Sequence, residues 1–327
     1  MSPQCAVSGM GNGVFVQASS WARGLRQLGH EVNFVGPRED GGFEAIGDKD
    51  VIHFFQHGFW LKPFIKRNSA QLWCFSPILD STASIKLYSL LARLPLDRRL
   101  ISFGPKLLNE FCCQCTVVVR SNYELSYIEK IAPNAKVETV PIAISIDDVV
   151  AEAPIRELPQ RFALFVGGVF AERKNVVRLI KACEHIRMPL VLVGNEFDTD
   201  YMRRVNATIE QASVPVVRLG FVSKAELRWL YGNCSVFCLP SLIEGVGQVV
   251  LEALHCGAPV VTTEIGGPRD YFGENVEYAN PFDTKSIVSC IEKAILEPPS
   301  PNSVAKMLSQ YSAEETAKKL LRCYLGG

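Results

Sequence analysis

The sequence predicts an α/β protein built from two doubly wound parallel sheets. Short apolar runs rich in β-branched residues recur along the chain, separated by stretches with helical spacing. This is the pattern of strands that helices cover on both faces. The chain has 327 residues, enough for two domains of ordinary size. Its 48% of hydrophobic residues also provide for a large core.

The second half of the chain has the clearer pattern. Its predicted strands follow one another at intervals of roughly 25 residues, as βαβ units do. They are residues 162–169, 190–194, 214–222, 236–240 and 259–262. A helix with one apolar face is predicted after Lys174. The Ser-x-x-Glu pattern at Ser223 predicts the start of another helix.

The first half has the same rhythm with weaker signals. A helix is predicted over residues 15–28. The predicted strands are residues 5–8, 31–35, 50–55, 71–75 and 116–120. The segment 151–160, where Glu, Pro and Arg interrupt the pattern, predicts the domain boundary. A Pro-rich break at 297–302 precedes a final predicted helix, and Ser312 opens the last stretch of that helix.

Charge and composition exclude several classes of protein. The 34 Lys and Arg residues equal the 34 Asp and Glu residues, which excludes a strongly basic nucleic-acid binder. No apolar run suits a membrane-spanning helix and no secretory signal is recognised, so a cytoplasmic protein is expected. The odd number of cysteines, eleven, fits a reducing compartment. The tight cluster Cys112-Cys113-Gln114-Cys115 lacks a fourth ligand, so no metal site is expected.

One segment departs from this balance. Residues 62–106 hold eight Lys and Arg against two Asp, a net charge of +6, with apolar residues interleaved. This mixture suits an anionic membrane surface or a lipid-linked acceptor. The alternative interpretation is an ordinary amphipathic helix with a solvated basic face.

Chemistry is expected just after the strands, because ligands of doubly wound sheets bind beyond the carboxyl ends of their strands. Two glycines, Gly167 and Gly168, follow the strand core 163–166 within the apolar run 162–169, and Arg173-Lys174 come next at a helix start. Cations at that end oppose the helix dipole. They are suited to a bound anion such as a phosphate, and the alternative is a solvated basic turn.

A second motif follows the predicted strand 236–240. Gly245 and Gly247 bracket a predicted helix start, where free backbone N–H groups can hold phosphate oxygens. Glu244 precedes this helix and Glu252 lies within it, with seven residues between them. A carboxylate beside a phosphate site suits sugar or ribose hydroxyls, or developing positive charge.

These motifs resemble, in order and over residues 162–283, the donor-binding domain of glycosyltransferase family 4. Members of that family are retaining enzymes with the GT-B fold. The N-terminal half resembles the family through the glycine loop that ends at Gly13 and through Gly29-His30-Glu31-Val32. The resemblance implies two doubly wound Rossmann-like domains facing a central cleft. Residues 1–155 would bind the acceptor and 156–300 the donor, while 301–327 would pack back toward the N-terminal domain.

The resemblance also implies residue roles. Lys174 and Arg173 would neutralise the donor diphosphate, and Glu244 would contact the transferred sugar and act in catalysis with Lys174. Glu252 would bind the ribose. Further diphosphate contacts are implied for Gly13, Gly247, Gln248 and Val249, and base contacts for Phe221 and Val222. The implied reaction is metal-independent and needs no cofactor: a sugar passes from a nucleoside diphosphate to a hydroxyl of a saccharide or lipid-linked acceptor. Polysaccharide, glycolipid or glycoconjugate synthesis at the inner face of the membrane would be the setting.

Two departures from the family pattern leave alternatives open. Gly168 stands where many members have Arg, and the usual His after the strand 71–75 is missing. His57 from the neighbouring strand end, Ser76 or a backbone group would then serve the active site. The alternative is a GT-B protein that binds nucleotide sugar with weak or no catalysis. A nicotinamide-binding motif at residues 9–13 lacks the required glycine spacing and leaves the C-terminal motifs unexplained.

Overall fold

The computed structural model describes residues 13–34, 50–55, 72–79, 105–144 and 149–326. These residues form two compact units. The first is drawn from Met1–Ser145 and Gln310–Gly327, and the second from Ile146–Ser309. Each unit is built on a parallel sheet with helices packed against it, so the predicted α/β class is confirmed.

The first unit contains a four-stranded parallel sheet in the order β1-β2-β3-β4. Its described strands are β1 (Val51–Phe55), β2 (Leu72–Ser76), β3 (Thr116–Val119) and β4 (Lys136–Thr139). Its described helices are α1 (Gly13–Gln27), α2 (Pro105–Cys112), α3 (Asn122–Ile131) and the C-terminal α11 (Ala313–Leu325).

Strand alternation distributes the core of the first unit over the two faces of its sheet. Cys74 packs in a cluster with α1 and α11, which includes Trp21 and Leu320. Its neighbours Trp73 and Phe75 pack instead in a second cluster with α2 and α3. Successive side chains of a strand point to opposite faces, so three consecutive residues of β2 serve both layers.

The second unit contains a six-stranded sheet in the order β10-β9-β8-β5-β6-β7, with every pairing parallel. Its strands are β5 (Ala163–Val166), β6 (Leu190–Val193), β7 (Val216–Gly220), β8 (Val236–Leu239), β9 (Val260–Thr263) and β10 (Glu277–Ala279). Its helices are α4 (Val176–His185), α5 (Asp200–Gln211), α6 (Lys224–Asn233), α7 (Gln248–His255), α8 (Pro268–Phe272), α9 (Thr284–Leu296) and α10 (Pro301–Ser309).

The helices of the second unit pack as two groups. Helix α4 contacts α5 and α9, whereas α7 contacts α6 and α10. The central strands are fully buried, as in the continuous apolar run of β5. Such a run, without polar alternation, is what a strand covered on both faces requires.

Among the described residues, which do not include the predicted strand 5–8, the structure differs from the sequence predictions at two places. Residues 31–34, predicted as part of a strand, are not in a strand. Three of the four are exposed, and the Val32 carbonyl accepts a hydrogen bond from the Arg26 guanidinium instead of from a neighbouring strand. The single final helix is in fact two. Helix α10 contacts α7 in the second unit, and Ser312 caps a separate helix α11, which packs on α1 in the first.

Several elements lack a sequence signal strong enough to predict them. Strands β4 and β10 are three or four residues long and only partly buried, so they carry no clear apolar run. By contrast, the capping box predicted at Ser223 is present with both reciprocal hydrogen bonds. In the described parts of the chain, no helix combines the length and apolar character needed to span a bilayer.

Candidate functional site

The strand order of the second unit reverses between β5 and β8, which are neighbours in the sheet although two strands and three α-helices lie between them in sequence. Such a switch point opens a crevice beyond the carboxyl ends of the two strands, because the connections leave in opposite directions. The loops after β5 and β8 carry the two motifs that the sequence singles out. Topology therefore selects the same residues independently of any motif.

The cationic motif lies in a short 3-10 turn, Glu172–Lys174, between β5 and α4. The Lys174 N–H donates to the Ala171 carbonyl at 2.8 Å and holds the turn closed. The carbonyl of Arg173 accepts from the Leu242 N–H at 2.7 Å, which ties the turn to the loop after β8. The two loops at the switch point are thus joined through their backbones.

Glu244 is the centre of the charged cluster. Lys174 Nζ donates to its Oε2 atom at 2.7 Å, and the buried Ser241 hydroxyl donates to the same oxygen at 2.9 Å. Arg173 Nη1 lies 3.8 Å from the other oxygen, Oε1. The side chains of Glu244 and Lys174 are only 8% and 11% exposed. Partial desolvation strengthens their attraction and makes each dependent on the other.

The backbone of Glu244 is held as firmly as its side chain. Its N–H donates to the Ile265 carbonyl at 3.2 Å, and its carbonyl accepts from the Gly267 N–H at 3.1 Å. Gly266 crosses so close that a Cβ atom there would lie 1.9 Å from the Glu244 carbonyl oxygen. With φ at +111°, this position requires glycine. The glycine turn after β9 therefore fixes the backbone that carries the Glu244 carboxylate.

The N-terminus of helix α7 lies next to this cluster. Gly247 caps α7 with φ at +87°, in the left-handed region, and the helix begins at Gln248. Helix geometry leaves the first N–H groups, including those of Gln248 and Val249, without acceptors within the helix. Arg173 Nη1 is also buried without a hydrogen-bond acceptor. Amides and a guanidinium with unused donors are suited to the oxygens of a phosphate.

The residues expected to bind ribose and base lie on neighbouring elements. Glu252 is the fifth residue of α7, and the Tyr231 hydroxyl donates to its Oε2 at 3.1 Å. Burial, and then the nearby Glu252 charge, raise the pKa of Tyr231 well above its usual value. Phe221 follows β7 directly and is 71% exposed, with Val222 after it. A free aromatic ring at this edge is available for stacking.

The sequence also predicts site roles for His57, Gly13 and Ser76. His57 lies outside the described residues, as does most of the basic segment 62–106. Gly13 is the first residue of α1, in the first unit. Ser76 is not free for a ligand: it is buried, donates to the Val118 carbonyl and lies 3.0 Å from a ring nitrogen of His53.

No group of three or more His, Cys, Asp or Glu side chains suited to a metal ion occurs among the residues that the structure describes. The described part of the cysteine cluster makes local contacts instead. Cys112 is buried, and the thiols of Cys113 and Cys115 donate to Asn109 and to the Phe111 carbonyl.

Sequence reasoning missed two residues that organise the site. Ser241 is buried and directs a hydroxyl at Glu244, and Asn175 occupies the junction between the cationic turn and α4. The signal for Ser241 was its position three residues before a carboxylate. For Asn175 it was a residue type that tolerates left-handed backbone, placed before a helix.

Comparison with solved structures identifies the fold. The chain superposes on HepE from Anabaena, solved in complex with UDP and glucose, with a TM-score of 0.73 over 96% of both chains at 16% identity. Sucrose-phosphate synthase from Thermosynechococcus elongatus gives a TM-score of 0.70 over 87% of this chain and 76% of that one, at 19% identity. The protein therefore has the GT-B fold.

Sequence comparison identifies the family of the second unit. Residues 152–314 match the family model of the glycosyl transferases group 1, and this half of the chain belongs to that family. O-antigen chain mannosyltransferase B of Escherichia coli is 28% identical over 181 residues, which are 50% of this chain and 46% of the relative. The serotype-specific mannosyltransferase WbdA of Escherichia coli is 30% identical over 149 residues, 43% of this chain and 18% of the relative. The chain thus spans less than half the length of these relatives.

Proposed function

We propose that this protein is a glycosyltransferase that moves a sugar from a nucleoside-diphosphate donor to an acceptor hydroxyl with retention of anomeric configuration. The observation that carries the proposal is the Lys174–Glu244 pair at the switch point, beside the first amides of α7. The family of residues 152–314 and a structural neighbour solved with UDP and glucose support the same assignment.

The residues of the charged cluster are proposed to have separate roles in this reaction. Lys174 and Arg173 attract the diphosphate, and the amides of Gln248 and Val249 take its remaining oxygens. These fixed positive groups stabilise the charge that develops on the leaving nucleoside diphosphate, so the reaction needs no metal ion for that purpose. Glu244 accepts hydrogen bonds from the sugar, and Glu252 from the ribose.

The chemical step exchanges one bond at the anomeric carbon for another. The bond from that carbon to the diphosphate oxygen breaks, and the acceptor oxygen forms its bond on the same face. The acceptor proton passes to an oxygen of the departing diphosphate. The two cations and the amide groups are already in position, which avoids the cost of reorganising solvent around the leaving group.

The acceptor is proposed to be a saccharide or a lipid-linked saccharide, in the synthesis of a polysaccharide, glycolipid or glycoconjugate. The two E. coli relatives are named as O-antigen and serotype-specific mannosyltransferases, which fits that setting. The basic segment 62–106 is proposed to contact an anionic membrane surface. Co-sedimentation with vesicles of phosphatidylglycerol tests this contact: salt-sensitive binding supports it, and binding that is absent or insensitive to salt contradicts it.

A second candidate, binding of nucleotide sugar without turnover, is favoured by one observation. Many family members place an Arg at the position of Gly168, and here the Phe170 ring fills that space, 3.0 Å from where a Cβ atom would lie. One cationic contact is therefore replaced by an apolar one.

A donor screen followed by a transfer assay tests both candidates. UDP-, GDP-, ADP- and CMP-linked sugars are added singly in EDTA, and the melting temperature is followed, because a ligand of the folded state raises it. We expect one nucleoside-diphosphate series to bind and to lose its sugar to an acceptor or to water. Binding without sugar release supports the second candidate, and no binding by any donor contradicts both.

A further inference from the structure

Asn175 is the residue at which the cationic turn becomes helix α4. It follows Lys174 directly and has φ 60° and ψ 30°, in the left-handed region. Its N–H donates to the Glu172 carbonyl at 3.0 Å, and its own carbonyl accepts from the Arg178 and Leu179 N–H groups. One residue therefore ends the turn and starts the helix.

The Asn175 side chain is 5% exposed and uses all its hydrogen-bonding groups. Its Nδ2 atom donates to the Pro240 carbonyl at 2.9 Å and to the Pro281 carbonyl at 2.7 Å. Its Oδ1 atom accepts from Arg178 Nη1 at 2.8 Å, and the same Arg178 atom lies 3.1 Å from the Pro281 carbonyl oxygen. The amide thus ties the loops after β5, β8 and β10 to one another.

Position 175 has two separate requirements: a left-handed backbone conformation and a side chain that forms hydrogen bonds. Left-handed backbone alone is best served by glycine, which adopts it without steric cost. Asparagine tolerates this conformation and adds a side chain that can bond locally. The structure uses both donors and the acceptor of that side chain, so the backbone conformation does not account for all that Asn175 does.

We infer that Asn175 is a positioning residue for Lys174 and Arg173, holding both cations in register with Glu244 for a diphosphate. The inference rests on the proposed function. A loop that is released at Pro240 and Pro281 moves the two cations relative to the α7 amides, and electrostatic contacts of this kind depend strongly on position.

Two variants and a matched control test the inference. Asn175→Gly keeps the backbone conformation and removes every side-chain contact. Asn175→Asp keeps the size and the Arg178 contact but replaces the two donors with an acceptor facing carbonyl oxygens. Asn275→Ala is the control: Asn275 is buried and donates to the Phe272 carbonyl, but it lies two residues before β10, whereas Asn175 contacts Pro281 beyond the carboxyl end of that strand.

The readout is the Kd for UDP, GDP and ADP by titration calorimetry in EDTA, well below the melting temperature of each variant. We expect both Asn175 variants to bind the preferred nucleotide about tenfold more weakly than the parent, as misplacement of a charged contact predicts. The control is expected to lose thermal stability and to keep the parent Kd.

The outcomes distinguish the inference from the proposed function. Parent-like binding by Asn175→Gly overturns the inference, since backbone conformation would then suffice, while the proposed function stands. Equal weakening in Asn275→Ala also overturns it, because general loosening would be the cause. If the parent binds none of UDP, GDP and ADP, or if Lys174→Ala binds as the parent does, the proposed donor site is wrong and the inference falls with it.

Discussion

The ammonium nitrogen of Lys174 lies 2.7 Å from Oε2 of Glu244, in a pair whose side chains are about nine-tenths enclosed. The pair joins the loops after β5 and β8, the two strands that flank the switch point of the sheet. In the proposed reaction, a diphosphate that binds Lys174 would compete with Glu244 for the same cation. The carboxylate would then become available to the hydroxyls of the sugar that the diphosphate carries.

Replacing Lys174 alone should lower the free energy of unfolding more than replacing Lys174 and Glu244 together. Lys174→Met leaves the Glu244 carboxylate enclosed with only Ser241 and a more distant Arg173, and we expect a loss of about 3 kcal/mol in the free energy of unfolding. Adding Glu244→Gln removes the uncompensated charge and should restore part of that loss. Urea unfolding of the single and double variants measures the coupling.

An exposed ion pair supplies the control for that experiment. Lys318 contacts Glu314 and Glu315 on the surface of α11, where solvent screens the charges. Lys318→Met is therefore expected to leave the unfolding curve unchanged. Additive effects of Lys174→Met and Glu244→Gln would contradict the prediction that the two residues act as a pair.

The Ser241 hydroxyl is expected to act on turnover through Glu244. Ser241→Ala removes the hydrogen bond at 2.9 Å that orients the carboxylate but leaves Lys174 in place. Sugar transfer should fall about tenfold, in line with the loss of one positioned hydrogen bond to a charged group. The Kd for the free nucleoside diphosphate should stay close to the parent value, because that ligand has no sugar for Glu244 to hold.

The measurement is therefore a comparison of kcat with Kd. The exposed Ser309, whose hydroxyl donates to the Lys306 carbonyl in α10, provides a control in Ser309→Ala. Equal losses in kcat and in nucleotide affinity would show that Ser241 supports the fold of the site rather than the orientation of Glu244.

The crossing of α1 and α11 depends on a glycine. A Cβ atom at Gly24 would lie 2.1 Å from the Ala313 carbonyl oxygen and 2.7 Å from the Ala317 Cβ, both in α11. Gly24→Ala should therefore force the helices apart and lower the stability of the first unit by about 2 kcal/mol, as overpacking does. Thermal unfolding measures the effect.

Gly232 is the matched control within a helix. A Cβ atom there would meet only the Cys256 carbonyl oxygen, at 3.9 Å. Gly232→Ala should be neutral or stabilising, because alanine is the better helix former. If both substitutions proved harmless, the close approach of α1 and α11 would be in doubt.

Parts of the fold and of the candidate site can be predicted from the sequence where the local residue pattern indicates them. Strands such as β5 are apolar runs because both faces are covered, so sequence locates them. Lys174, Glu244 and Gly247 are visible because their residue types are unusual at strand ends. Ser241 and Asn175 are ordinary polar residues, and their roles arise from contacts 65 positions away or from a buried turn.

The two wrong secondary-structure predictions concern segments whose structure depends on contacts that the local sequence does not show. Residues 31–34 have strand-like composition, but the structure leaves most of them exposed. The continuous helix predicted near the C-terminus is interrupted before Ser312, whose side chain accepts from the Glu315 N–H and starts α11. Helix α10 then stays with the second unit, whereas α11 packs on the first. No local pattern records that change of packing partner.

Acid should destabilise the first unit through His53. Its Nδ1 atom lies 2.7 Å from the Tyr324 hydroxyl oxygen and its Nε2 atom 3.0 Å from Ser76 Oγ. The Ser76 proton goes to the Val118 carbonyl, so Nε2–H donates to Ser76 and Nδ1 accepts from Tyr324. Desolvation lowers the pKa of this imidazole from 6.5 to about 3.

The direction of the pH effect on stability follows from the uptake of a proton by His53 on unfolding. Between pH 6.5 and about 3 the unfolded chain binds a proton at His53 that the folded chain does not. Stability is therefore complete above pH 6.5 and falls as the pH drops, by at most about 1.4 kcal/mol per pH unit from this one proton. Urea unfolding of the parent and of His53→Gln from pH 7.5 to 4 measures the slope. Parallel pH profiles would contradict the prediction.

The proposed retaining transfer is tested by following one sugar from donor to product. The preferred nucleotide sugar is incubated with the protein in EDTA, and proton NMR records the anomeric configuration of the sugar as it forms, for the parent and for Lys174→Ala. The proposed mechanism predicts turnover without metal by the parent, retained configuration in the first product, and no turnover by the folded variant. Inverted configuration, dependence on added metal ion or undiminished turnover by Lys174→Ala would contradict it.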